Sequence, residues 1–317
     1  MLTVSNFHYI REDFSAPFPS IFGLSPKSFK HQLVRLSDFG KFISPKELLL
    51  KNDEILNSKE NYLLITFDDG LKEQFELAKP ILDDLNIQAL YFVNSINFIE
   101  KEVSLVHKIH LLRSKISSSE LLNNLKNSPF KSNFILSDYE KKKAVKHYNF
   151  DDVSTAYLKY SLNFRLSPNE LSKAIDGFFY NLFDTNKIVD ELYMSENQLR
   201  FLANHNQLGS HTHSHLALGL LDEKTIQFEL EKTKEYFERI TQTNVEIVSY
   251  PYGSDEACAK PVPELAKEIG YKLGFTMKRG INFSTENKLL LKRFDCNETP
   301  GGKNEKVFLD EYSIINE

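Results

Sequence analysis

Two short segments hold most of the residues that could do chemistry. Leu64-Ile65-Thr66-Phe67-Asp68-Asp69-Gly70 is an apolar run that stops in two adjacent carboxylates and a glycine, and His211-Thr212-His213-Ser214-His215 supplies three imidazoles. One carboxylate and two imidazoles make a three-donor set for a divalent metal, with a position left for water. The spare carboxylate is then a candidate general base for that water. Each segment alone is ordinary, because Asp-Asp-Gly is turn chemistry and loop histidines are often only solvated. The combination is less so. Both follow strand-like stretches, and Val248-Ser249-Tyr250-Pro251-Tyr252-Gly253 also ends a strand in a tight polar turn. Buried parallel strands deliver polar groups to the C-terminal mouth of an α/β barrel. The pattern reads as a metal-dependent hydrolase.

Positioning those residues requires βα units, and apolar runs do alternate with helical patterns. Ser25-Pro26 opens a helix in cap-then-proline order, with Phe29, Leu33 and Leu36 at helical spacing before Gly40. A strand follows over 62–67, then a helix from about 74 to 85 and a strand over 89–93. Ser195 and Gln198 read as a capping box for a helix ending near 205, after which 207–210 delivers the histidines. Asp222 caps a longer helix with Ile226, Leu230, Phe237 and Ile240 on one face. Strands near 245–249, 272–276 and 289–294 complete the series, with a helix through 265–269 stopped by Gly270. Between about 101 and 190 the rhythm gives way to amphipathic helices. One starts at Ser167-Pro168-Asn169-Glu170 and carries Leu171, Ile175, Phe178, Phe179 and Leu182 on a single packing stripe. An insertion after a barrel strand is placed to act as a lid or one wall of a cleft.

The residues resemble a known family, the polysaccharide deacetylases of carbohydrate esterase family four. Thr66-Phe67-Asp68-Asp69-Gly70 is similar to that family's first motif, His211-Thr212-His213-Ser214-His215 to its second, and Pro251-Tyr252-Gly253 to the end of its third. Asn6-Phe7-His8-Tyr9 and Leu291-Lys292-Arg293-Phe294 look like the framing segments of its bacterial surface-polysaccharide branch. The resemblance covers residue 1 to about 99 and 193 to about 295. It implies an α/β fold, a distorted (β/α) barrel with a helical insertion, and one catalytic domain over 1–317 with the insertion at about 101–190. It implies Asp69, His211 and His215 as metal ligands, Asp68 as base, and the backbone N–H of Tyr252 as an oxyanion donor. His213 falls at the variable position, as an alternative ligand or a supporting residue. The divalent metal is expected to be zinc, and the substrate an N-acylated amino sugar. The third-motif arginine that orients the base is replaced here by Ser249 and Tyr250, and Arg293 on the late strand is the expected substitute, with Asp295 on its face. The tryptophan-containing fourth and histidine-containing fifth motifs are missing. The general acid is therefore His8, His107, His110 or protonated Asp68 itself, while His31, His147 and His205 read as structural.

Composition sets outer bounds. The chain has 317 residues, 41% hydrophobic and 26% charged, with a net charge of −5. That balance is globular and argues against a nucleic-acid surface. No run approaches the roughly 18 apolar residues of a membrane span, and the first residues lack a signal-peptide pattern. Cys258 and Cys296 without a Cys-x-x-Cys point to a reducing compartment, so the expected location is the cytoplasm. Two rival functions stand beside a sugar N-deacetylase. One is a catalytically inactive carbohydrate-binding protein on the same fold, and the other is a hydrolase of a cyclic imide, a formamide or another non-sugar amide.

Overall fold

The computed structural model describes residues 1–148 and 151–316, which divide into two compact units. The first comprises 1–13, 23–102 and 189–317 and contains the sheet. Its strands are β1 (Leu2–Phe7), β2 (Lys41–Phe42), β3 (Tyr62–Phe67), β4 (Ala89–Val93), β5 (Leu208–Ser210), β6 (Ile247–Ser249), β7 (Leu273–Phe275) and β8 (Phe294–Asp295). They lie in the order β7-β6-β5-β4-β3-β1-β8, with β2 beside the start of β3, and the strand pairings are parallel. Leu291 bridges Phe275 of β7, while Phe294 and Asp295 pair with Ser5 and Asn6 of β1. Five residues thus join the two edges, and the curled sheet closes on itself.

Period-two alternation then decides what each strand sends inward. Leu63, Ile65 and Phe67 of β3 pack outward with Phe7, Phe29 and Tyr91, against helices such as Pro26–Leu36 and Glu223–Thr241. Leu64 points the other way, into a second cluster with Leu2, Val4, Leu90, Phe92, Ile247, Leu273, Phe275 and Leu291. Leu48, Ile55 and Leu56 of the helix Pro45–Asn57 belong to that inner cluster. Burying each such side chain contributes about 1.5–3 kcal/mol. Two residues farther along the same strand faces the inward positions turn polar: Asn6 on β1, Thr66 on β3, Ser249 on β6 and Arg293 before β8, all fully buried. The barrel is apolar in its lower layer and polar in its upper one.

The second unit comprises 14–22 and 103–188. Helices Leu105–Lys115, Ser118–Lys126, Asp138–His147, Val153–Phe164 and Pro168–Leu182 account for most of it. Ser117, Ser137, Asp152 and Ser167 each accept a backbone N–H of the turn they open, which fixes where four of these helices start. Their buried faces supply Leu112, Leu121, Leu125, Leu158, Leu162, Ile175 and Phe179.

The structure departs from the sequence reading at four points. The segment 74–85 begins as a wide π-type turn, Gln74–Ala78, and becomes α-helical only at Lys79–Asp84, because Pro80 cannot donate to the preceding turn. The late strand expected over 289–294 reduces to Phe294–Asp295 plus the bridge at Leu291, since it serves two edges in turn. Leu182 is about half exposed, so the packing stripe of its helix stops at Phe179. The strand β2 and the helix Pro45–Asn57 carried no expectation, although Ser44-Pro45 with Glu47 repeats the capping signal seen elsewhere.

Candidate active site

The chemistry-bearing residues converge at the C-terminal ends of β3, β5 and β6. Four of the non-glycine residues with positive φ sit there: Asp69 (78°), Thr212 (62°), His215 (60°) and Tyr252 (62°). Left-handed backbone is costly for such residues and persists where the surroundings enforce it, commonly at functional sites. Gly70 follows at φ 65°, and a Cβ there would meet Val93 Cγ1 at 2.6 Å, so the turn after the two carboxylates requires glycine.

The two adjacent carboxylates are held quite differently. Asp68 is buried, with Arg293 Nη1 donating to its Oδ1 at 2.9 Å and Arg293 Nη2 to its Oδ2 at 2.8 Å. Asn6 Nδ2 also donates to Oδ2, at 2.9 Å. Burial alone would raise its pKa, but the Arg293 charge overrides that and holds the carboxyl well below the usual range. Arg293 is fully buried and spends its remaining donors on Thr276 O, Asn6 Oδ1 and Ser249 Oγ. Its guanidinium therefore holds both oxygens of Asp68. Asp295 instead accepts from the N–H and side chain of Asn297.

Asp69 turns the opposite way, toward imidazoles. Its Oδ1 lies 3.6 Å from His211 Nε2 and 3.3 Å from His215 Nε2. One donor atom from each of the three buried residues can be chosen within 4.8 Å of the others. His211 Nδ1 donates to the Ser249 carbonyl at 2.8 Å, which fixes the tautomer and leaves the Nε2 lone pair facing Asp69. Burial pushes the His211 pKa down to about 4, with the neighbouring His215 acting in the same direction, so the ring is neutral near pH 7. Two imidazole nitrogens and a carboxylate oxygen, converging and buried, fit a divalent cation.

His213 is placed elsewhere. Its Nδ1 meets Ser95 Oγ at 2.8 Å, its Nε2 meets Glu100 Oε1 at 3.1 Å, and its N–H donates to Glu229 O at 3.0 Å. With both ring nitrogens engaged it anchors the loop rather than joining the donor set. The Tyr252 ring is exposed and meets His215 edge-on at 5.1 Å, and no hydrogen bond among the described residues takes the Tyr252 N–H. Of the candidate acids, His8 belongs to the barrel unit, with Nε2 4.0 Å from Asp68 Oδ2 and a side chain about one-third exposed. His107 and His110 belong to the helical unit. His31 and His147 are exposed on helices, and His205 bonds Phe201 O at a helix end.

Several site residues escaped the sequence reading as site residues. Asn6 and Ser249 contact Asp68 or Arg293 directly, and Gln74 Nε2 donates to Asp68 O at 2.6 Å and His8 O at 3.0 Å. Glu229 accepts the Ser214 N–H at 2.8 Å and also the Ser214 hydroxyl. The available signal was parity: Asn6 and Ser249 are polar at inward positions of otherwise apolar strands.

Residues 180–274 match the family model described as polysaccharide deacetylase, a stretch that contains the histidine loop and Tyr252 but not the Asp68-Asp69 turn. Structural comparison supplies the rest. A Streptococcus pyogenes deacetylase, PplD, solved in complex with acetate, superposes with a TM-score of 0.54 at 16% identity, covering 98% of this chain and 97% of that one. The fold is that of the polysaccharide deacetylases. IcaB from Ammonifex degensii has the same deacetylase fold at 15% identity, with a TM-score of 0.52 over 92% of this chain and 90% of its own. A de-N-acetylase from Aggregatibacter actinomycetemcomitans gives a TM-score of 0.52 at 15% identity, over 97% and 99%. Comparison with curated sequences returns no match. The motif-based resemblance to polysaccharide deacetylases stands, and the deacetylase barrel is the frame in which the two carboxylates and the histidine loop meet.

Proposed function

We propose that the protein is a metal-dependent N-deacetylase acting on an N-acylated amino sugar in surface-polysaccharide metabolism. The observation that carries this reading is the pair of neighbouring carboxylates, one ion-paired and kept ionised, the other aimed at two imidazoles. Asp69, His211 and His215 would hold the cation, with zinc the best match to a two-imidazole, one-carboxylate set. When bound, that ion supplies Lewis-acid activation of water and of the amide carbonyl. Asp68 takes the proton from the attacking water, and Arg293 with Asn6 fixes the direction of its oxygens. The Tyr252 N–H is free to donate to the oxygen that gains charge at the tetrahedral stage. His8, at 4.0 Å from Asp68, is placed to return a proton to the departing amine. Two of the structural relatives, a deacetylase and a de-N-acetylase, support the same reaction. We place this activity in the cytoplasm, since Cys258 and Cys296 are buried free thiols.

The deciding experiment measures metal content and acetate release on the same preparations, over a panel of N-acetylated sugars. His211→Ala and His215→Ala should each lose most of the bound cation and essentially all turnover while circular dichroism stays unchanged. Stoichiometric metal in both variants would refute the ligand set. A wild-type protein that binds metal but releases no acetate from any sugar would favour a carbohydrate-binding role.

A further inference from the structure

The helical unit contains a cavity of about 550 Å³ that the deacetylase chemistry does not use. Its size falls within the roughly 300–1,000 Å³ range of small-molecule sites. The wall is made by Phe18, Pro19 and Phe22 on one side and by the starts of the helices Ser118–Lys126 and Val153–Phe164 on the other, with Arg113 and Lys159 between. Both aromatic rings remain open, Phe22 at 69% and Phe18 at 42% exposure. Apolar rings left bare in a concave wall point to a partner with an apolar face.

Charge narrows the partner further. Arg113 and Lys159 contribute two positive charges, and Asp151 and Asp152 two negative ones. Asp151 is already paired to Lys159 at 2.6 Å, and Asp152 is spent on the N–H groups of Ser154 and Thr155 and the Thr155 hydroxyl. An anionic ligand would meet the two carboxylates, and a cationic one the guanidinium and ammonium. What remains for a ligand is neutral hydrogen bonding. Arg113 Nε is buried and has no hydrogen-bond partner among the described residues, an uncommon state for a strong donor. Ser118, Ser119 and Ser154 add hydroxyls at the rim.

From this combination we infer that the cavity is a second saccharide site, taking a neutral stretch of glycan through Phe18, Phe22 and Arg113. A pyranose ring presents an apolar C–H face to an aromatic ring while its hydroxyls point outward to donors and acceptors. A balanced wall with an unspent arginine and bare rings offers the counterpart to both. The inference does not rest on the metal site, because none of these residues belongs to the barrel unit.

Calorimetric titration of the full chain tests it, using a neutral glucose tetramer, an N-acetylglucosamine tetramer and inorganic phosphate as probes. Saturable binding of at least one tetramer is expected in the wild type and in His211→Ala. Phe22→Ala and Arg113→Gln should each weaken that binding by about tenfold, as loss of a central contact does at other interfaces. Phe22 is largely exposed, so its removal leaves the fold intact, and an unchanged melting curve checks this. Identical tetramer binding in wild type and both cavity variants would overturn the proposal, as would no tetramer binding at all. Phosphate binding lost in Arg113→Gln, without tetramer binding, would overturn it in favour of an anion site. Failure of the deacetylase reading alone would leave the tetramer result in His211→Ala unchanged.

Discussion

Asp68 and Asp69 are neighbours in the chain, yet the regions around them are built on different principles. The Asp69 side is local: a glycine turn and a five-residue loop carry all three donors, and each element bears a recognisable pattern. The Asp68 side is assembled from afar, with Asn6, Ser249 and Arg293 arriving from three other strands. Local motifs can be read from spacing, whereas the second arrangement depends on which strands become neighbours. Two adjacent residues therefore acquire opposite jobs through partners that lie up to 225 positions away.

Breaking the remote side should have the largest effect. Arg293→Met leaves Asp68 as an uncompensated buried charge, so stability should fall by about 3–5 kcal/mol. The double variant Arg293→Met with Asp68→Asn should recover part of that loss, because no orphan charge remains. Urea unfolding midpoints decide it, and equal midpoints for single and double variants would show that the pair is electrostatically idle. Asp68→Asn alone keeps an acceptor for Arg293, which also retains Thr276 O, Asn6 Oδ1 and Ser249 Oγ. It should cost about 10²-fold or more in turnover while metal content stays at wild-type level. Near-wild-type acetate release in that variant would reduce Asp68 to a turn residue.

The local side is probed by acid. His211 is held neutral by burial, with a folded pKa of about 4 below its ordinary 6.5. The unfolded chain therefore binds a proton first as pH falls, so stability is intact above about 6.5 and declines toward about 4. The slope from this one group is at most about 1.4 kcal/mol per pH unit. Metal-free wild type should show this decline and His211→Gln should show less of it, which unfolding at a series of pH values will establish. The smallest effect belongs to His213→Ala. Ser95 and Glu229 still hold the loop through backbone contacts, so metal content should change by less than about threefold. A loss matching that of His211→Ala would mean that the ring itself is a ligand.

These contrasts explain what could be read in advance. The strand Tyr62–Phe67 and the helices opened by Ser25 and Asp222 follow from periodicity and caps, and the Asp69–His211–His215 grouping from the resemblance to the deacetylase motifs. Arg293 was named as the substitute arginine from its late-strand position, but its partner was not legible. Nothing in the local sequence says that 291–295 touches both β7 and β1. Asn6 was noticed only as part of a framing segment, since a single polar residue in an apolar strand becomes informative only once its face is known. The inserted segment was recognisable as helical by its amphipathic spacing and the Ser167 cap, whereas the joining of 14–22 to it carries no sequence signal.

The closing segment couples construction to reactivity. Leu291 and Phe294 engage the two edges, and between them Arg293 brings the buried Asp68 its counter-charge. Without that charge, burial acts on Asp68 unopposed by Arg293 and raises its pKa, which favours the protonated carboxyl that does not serve as a base. The three-donor set makes none of these contacts. The barrel therefore carries an interlock: the proposed base gains its counter-charge only when the last strand is seated.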